Sequence, residues 1–171
     1  MSGTQSQTLS PGTYCGTIRV TGNASLTFEA GLFVLNGAAL VFNGQATVSG
    51  VDVSFYLTEN SGMSDNITIS GGANVSLSAP SDGPLPGVLF YQDRAAPSNV
   101  THRFTGNAEM DFDGVMYFPN QAVQFSGNSE LEDSEAVIIA DTVSFTGNTE
   151  VELETEPDPA NPLLAEASLV E

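Results

Sequence analysis

The chain has 171 residues, 40% of them hydrophobic, with no Lys, three Arg and 21 acids, for a formal charge of −18. That length suits one domain with a core of useful size. The charge excludes nucleic-acid binding through phosphates, which needs Lys and Arg, and disfavours anionic membranes; metal cations, basic partners or a salty medium are compatible with it.

Residues 1–8 are polar and are expected to be a disordered N-terminal segment. Order begins near Pro11-Gly12-Thr13-Tyr14-Cys15-Gly16. Cys15 is the only cysteine, so no internal disulfide can form, and it is expected to be a small buried hydrophobe. Ile18, Arg19 and Val20 alternate as a strand with one buried face does. Gly22-Asn23 then reads as a turn, because both residues enter the left-handed region cheaply. Leu26 and Phe28 are expected to point inward, with Ser25 and Thr27 outward. Phe33-Val34-Leu35 forms a third short strand, and Leu40-Val41-Phe42 opens the pattern again.

The same phrase recurs. Val20-Thr21-Gly22-Asn23 is followed by Phe42-Asn43-Gly44-Gln45, Ile69-Ser70-Gly71-Gly72, Phe104-Thr105-Gly106-Asn107, Phe125-Ser126-Gly127-Asn128 and Phe145-Thr146-Gly147-Asn148. The glycines are 22, 27, 35, 21 and 20 residues apart. About 20 residues hold three short strands and three turns, which is one coil of a parallel β-helix. Helical repeats would need a 3.6-residue period, and these segments alternate by two. The spacing therefore predicts an all-β, single-stranded, right-handed parallel β-helix over residues 9–154. It has about six coils of three short strands each, the hand following from the crossover rule. Phe104, Phe125 and Phe145 should stack in the core. Asn23, Asn107, Asn128 and Asn148 should form an amide ladder at the turn. The two long intervals mark loop insertions at residues 59–66 and 80–99, expected to leave one side of the coil. Residues 155–171 read as a Pro-rich tail and capping segment, since a solenoid must cover its open end. No apolar run of about 18 residues is present, so no membrane-spanning helix is expected.

Several stretches carry a family likeness. Leu9-Ser10-Pro11-Gly12-Thr13-Tyr14-Cys15-Gly16, Phe90-Tyr91-Gln92-Asp93-Arg94, Tyr117-Phe118-Pro119-Asn120 and Ile139-Ala140-Asp141-Thr142, punctuated by Ser/Thr-Gly-Asn, resemble the C-terminal region of TadG-like proteins. These belong to the tight-adherence (Flp) pilus assembly group of Gram-negative bacteria. The resemblance covers about residues 9–154 and implies an extracytoplasmic, pilus-associated setting without catalytic residues. It also implies a hydrophobic N-terminal anchor, which this sequence does not show.

The strongest functional asymmetry is acidic. Residues 1–100 hold six acids and residues 101–171 hold fifteen. Outward positions after the corner are Ser25 and Thr27, Thr47 and Ser49, then Asn74 and Ser76. They become Glu109 and Asp111, Glu130 and Glu132, then Glu150 and Glu152. Stacking would make these six carboxylates a two-column ladder, either a solvated acidic face or a weak calcium-bridging one. No other cofactor is expected. His102, the only histidine, replaces the Ile18, Leu40 and Val123 of other coils. It is expected to be half-buried and hydrogen-bonded to Asp93, Tyr91 or loop backbone. Asp93 with Arg94 or Arg103 reads as a loop-fastening ion pair. Tyr56, Tyr91 and Phe118 lie next to the third strand's buried positions, where core or edge packing is the expected use and an outer aromatic strip the alternative.

These features point to a non-enzymatic structural or adhesive domain at the cell surface. Its expected partner is a pilus, cell-surface or extracellular-matrix component, and the isolated domain is expected to be a monomer. A polymer-forming β-helix scaffold is the alternative. A calcium-assisted polysaccharide-active enzyme using Arg103 is a further one.

Overall fold

The repeated phrase builds a corner. Gly3, Gly22, Gly44, Gly71, Gly106, Gly127 and Gly147 all turn with φ between 72° and 88°, a region where a Cβ meets the following carbonyl oxygen. Successive corners lie directly on one another. From Gly44 onward, the residue after each glycine donates its N–H to the glycine carbonyl one coil earlier: Gln45 to Gly22 at 2.8 Å, Asn107 to Gly71 at 2.6 Å, Asn128 to Gly106 at 2.8 Å. The turn is thus hydrogen-bonded as continuously as the strands are.

The computed structural model describes residues 1–58, 66–134 and 136–153. The first coil holds β1 (Ser6–Leu9), β2 (Gly12–Tyr14) and β3 (Ile18–Val20), and the second β4 (Ser25–Phe28), β5 (Gly31–Asn36) and β6 (Leu40–Phe42). The third holds β7 (Thr47–Gly50), β8 (Val53–Thr58) and β9 (Ile67–Ile69), and the fourth β10 (Asn74–Ser78), β11 (Val88–Gln92) and β12 (Thr101–Gly106). In the fifth coil the single strand β13 (Glu109–Gly127) runs through all three faces. The sixth coil holds β14 (Glu130–Ser134) and β15 (Ala136–Gly147), and β16 (Glu150–Leu153) starts another. Every strand pairing between coils is parallel. Face one stacks β1, β4, β7, β10, the start of β13, β14 and β16. Face two stacks β2, β5, β8, β11 and the middle of β13 on the start of β15. Face three stacks β3, β6, β9, β12 and the ends of β13 and β15. This is a parallel β-helix, as the glycine spacing predicts.

Alternation drives one side of every face inward. Leu26, Val48, Val75, Met110 and Leu131 from face one are buried, as are Val20, Phe42, Ile69, Phe104 and Phe125 from face three. Aromatic columns run along the core. Phe33, Phe55, Phe90 and Phe118 stack with centroids 5.4, 5.2 and 6.1 Å apart, and Phe28 meets Phe33 and Phe55 edge-on at 5.0 Å each. Phe104, Phe125 and Phe145 form a second stack at 4.9 and 5.2 Å, with Phe104 and Phe125 in the core as expected and Phe145 exposed.

Several expectations change. Residues 1–8 are not wholly disordered: Ser6 to Leu9 pair with Ser25 to Phe28, and the Met1 ammonium donates to the Arg19 carbonyl at 2.7 Å. Backbone ladders need no apolar side chains, so a polar segment can complete the first coil. Cys15 is exposed, because it lies in the bend between β2 and β3, outside the alternating core positions. The amide ladder is shorter: Asn128 donates to Asn107 at 3.1 Å and Asn148 to Asn128 at 3.4 Å, whereas Gln45 and Gly72 occupy the two corners above Asn23. Phe118 is fully buried, the core use expected of it, and Tyr117 completes the outer strip in its place. The cause is a register shift between Val88 and Phe90, after which Tyr91 pairs with Tyr117. A one-residue slip exchanges the two sides of a strand.

The insertions frame face two. Residues 79–87 leave between β10 and β11, and residues 93–100 leave between β11 and β12, so they flank β11 at opposite edges instead of sharing one side. Residues 59–65 and 154–171, with the expected first insertion and capping tail, lie outside the described residues. Among the described residues no helix is long and apolar enough to cross a membrane.

Candidate functional site

Face one carries the acidic change. Its outer register runs Ser25, Thr47, Asn74, Glu109, Glu130 and Glu150. The neighbouring register runs Thr27, Ser49, Ser76 and Asp111. The first acids are met by neutral donors one coil earlier. Asn74 Nδ2 donates to Glu109 Oε2 at 2.8 Å and Ser76 Oγ donates to Asp111 Oδ2 at 3.1 Å. The polar coils thus seat the acidic ones. Glu132 falls where β14 shifts register against β16. The side chains of Glu132, Glu150 and Glu152 lie outside the described residues. Among the described residues no group of three or more His, Cys, Asp or Glu side chains could hold a metal ion.

Asn74→Asp tests this seating. It removes the donor and sets like charges on adjacent strands, which costs about 0.5–1 kcal/mol. The urea midpoint should fall at low salt and recover largely in molar salt, where the Debye length is about 3 Å.

Face two and its flanking loops form the more elaborate surface. Tyr56, Tyr91 and Tyr117 stack in one outer column at 5.6 and 5.2 Å. The loop at residues 93–100 is fastened against them. Tyr56 Oη donates to Asp93 Oδ2 at 3.0 Å, and Asp93 Oδ1 accepts the Ala95 N–H at 2.9 Å. Burial, and then the Asp93 carboxylate, push the Tyr56 phenol up. Arg94 Nε donates to Tyr117 Oη at 2.8 Å, with its guanidinium carbon 5.7 Å from that ring's centre. The expected ion pair of Asp93 with Arg94 or Arg103 is therefore replaced by tyrosine contacts. At the other edge, Ser54 Oγ donates to the Val88 carbonyl at 2.8 Å, and Gly87 N–H to the Pro80 carbonyl at 2.7 Å. A half-open groove of about 350 Å³ lies there, lined by Leu32, Asp52, Ser54, Pro80 and Pro84 among others.

His102 is fully buried, not half-buried, and its partners are neither Asp93 nor Tyr91. Nδ1 accepts the Ile67 N–H from coil three at 3.1 Å. Nε2 lies 2.7 Å from Gln121 Oε1 in coil five. The Ile67 N–H fixes the lone pair at Nδ1, so the proton sits on Nε2 and points at Gln121. Gln121 Nε2 then donates to the Pro97 carbonyl at 2.8 Å. The ring packs on Phe118 at 4.0 Å between centroids. Burial holds the imidazole down to about 4, against the Gln121 hydrogen bond, which acts the other way.

The structure brings His102, Gln121 and the 93–100 loop together, and Glu109 with Asn74. It does not bring Arg103 to the acids, since Arg103 is exposed on face three and the acids line face one. Sequence reasoning missed Gln121 and Tyr117. One tyrosine in each of three consecutive coils was the signal for Tyr117. Comparison with protein-family models, curated proteins and solved structures finds no match.

Proposed function

We propose that this chain is a non-enzymatic structural and adhesive extracytoplasmic domain of a pilus-associated surface protein. The observation that carries the reading is the loop-framed face two. A rod stiffened by buried aromatic columns holds two loops at fixed edges, residues 93–100 fastened by side-chain hydrogen bonds and residues 79–87 closed by a backbone one. Loops on a rigid scaffold are where binding surfaces are built. The TadG-like resemblance of residues 9–154 supports the pilus setting, and a pilus, cell-surface or matrix component is the partner class. The groups that a hydrolytic or eliminating site would need are separated, because the only histidine is spent on two structural hydrogen bonds inside the core.

The test shortens each loop separately, residues 81–86 and residues 94–99, to a Gly-Ser link. Beads coated with each chain are then scored for attachment to pilus-bearing cells and to matrix-coated surfaces. Both variants should keep a cooperative unfolding transition, and at least one should lose most attachment. Full attachment by both would sink the proposal.

A further inference from the structure

We propose that His102 is an acid-released latch for the loop at residues 93–100. Its bearing on attachment rests on the adhesive reading of that loop; the latch itself stands on the geometry. His102 and Gln121 are both fully buried and act in series. The backbone of coil three, at Ile67, donates to the ring, the ring donates to Gln121, and Gln121 donates to the loop at Pro97. Each link has one polarity. A second proton on the ring would turn Nδ1 into a donor facing another donor at 3.1 Å.

Among the described residues, none that the ring meets carries a charge to pair with it. From β9 the ring meets Ile67, and from β13 it meets Phe118, Gln121 and the paired Val123, none of them charged. On the loop, the Asp93 carboxylate is turned to Tyr56 and Ala95, and Arg94 to Tyr117. Arg103, next in the chain, is exposed and of the same sign. Glu59 and Asp65 lie outside the described residues. A buried imidazolium without a carboxylate must reach water. The cover that Gln121 ties down is the 93–100 loop, so the charged ring is relieved when that loop lifts.

The neutral ring belongs to the closed form, so closure holds above the ordinary histidine range and is lost as pH falls towards 4. Opening that restores an ordinary value near 6.5 becomes about a hundredfold more favourable between pH 7 and pH 4.

Amide exchange by NMR on the full chain reads this directly, as protection factors that divide out the intrinsic pH dependence. Ile67 and Ala96 should lose protection about a hundredfold between pH 7 and pH 4. The Thr47 amide, bonded to the Ala24 carbonyl far from the latch, is the reference and should change little. His102→Gln can accept from Ile67 and donate to Gln121 without titrating, so its loop should stay protected across the range. The proposal is overturned if Ile67 and Ala96 lose no more protection than Thr47. It is equally overturned if His102→Gln loses as much as the parent, since carboxylates would then be responsible. Should the variant fail to fold, the wild-type comparison alone decides. If the loop opens and bead attachment at pH 4 is unchanged, the latch stands and the loop's adhesive role falls.

Discussion

Gly106→Ala is expected to destabilise the fold by roughly 2–5 kcal/mol, from two sources that add. The left-handed conformation costs a Cβ-bearing residue roughly 1–2 kcal/mol, and Gly106 has φ 86°. The second source is space: an added Cβ would lie 2.7 Å from the Gly71 carbonyl oxygen and 2.8 Å from its nitrogen. Those atoms are backbone, so relief needs the coils to part, and crowding of this kind costs roughly 1–3 kcal/mol. Gly16→Ala is the control, because nothing lies within 4 Å of a Cβ there. The urea midpoint should fall sharply for the first variant and hold for the second. Equal midpoints would mean that the corner column is not under steric constraint.

Phe55→Ala carries the other large effect, about 3–5 kcal/mol, as expected for a buried Phe whose removal leaves a cavity. Phe55 is fully buried between Phe33 and Phe90, with Phe28 edge-on, so several rings lose a neighbour at once. The surrounding coils cannot close the gap without breaking ladder register. Phe145→Ala should cost well under half as much, since Phe145, on the sixth coil, is 53% exposed. Thermal unfolding of the two variants side by side checks the contrast. A loss at Phe145 equal to that at Phe55 would show that the core is not graded along the rod.

Most of the architecture was legible because the repeat obeys strict local rules. A glycine at the corner and apolar residues at every second position are visible in one dimension, and they fixed the coils from Gly22 to Gly147. What escaped depends on neighbours in other coils. Gly3 opens the first coil, but the polar Ser6 to Leu9 hide it, since their contribution is made by backbone alone. The slip at Leu89 exchanged Tyr117 and Phe118, and a bulge leaves no mark in an apolar run. His102 was recognised as a substitution at a core position. Gln121, its partner, stands two residues before the aligned Val123 and so fell outside the comparison of strands. The acidic change on face one was legible down to its register, with Asn74 opposite Glu109 and Ser76 opposite Asp111. The hydrogen bonds seating those acids became visible only in three dimensions.

The corner column also bears on mechanical load. The hydrogen bonds joining coil to coil point along the rod, so a pull on its two ends loads each ladder in opening, not in shear. Coils would then come away one at a time from an end, each freeing the chain between two successive corner glycines. From Gly22 to Gly147 those intervals are 22, 27, 35, 21 and 20 residues. At roughly 3.5 Å per extended residue they correspond to steps from about 70 Å to about 120 Å. Under a steady pull, such a rod would lengthen in unequal strides, the longest given by the coil that carries both loops.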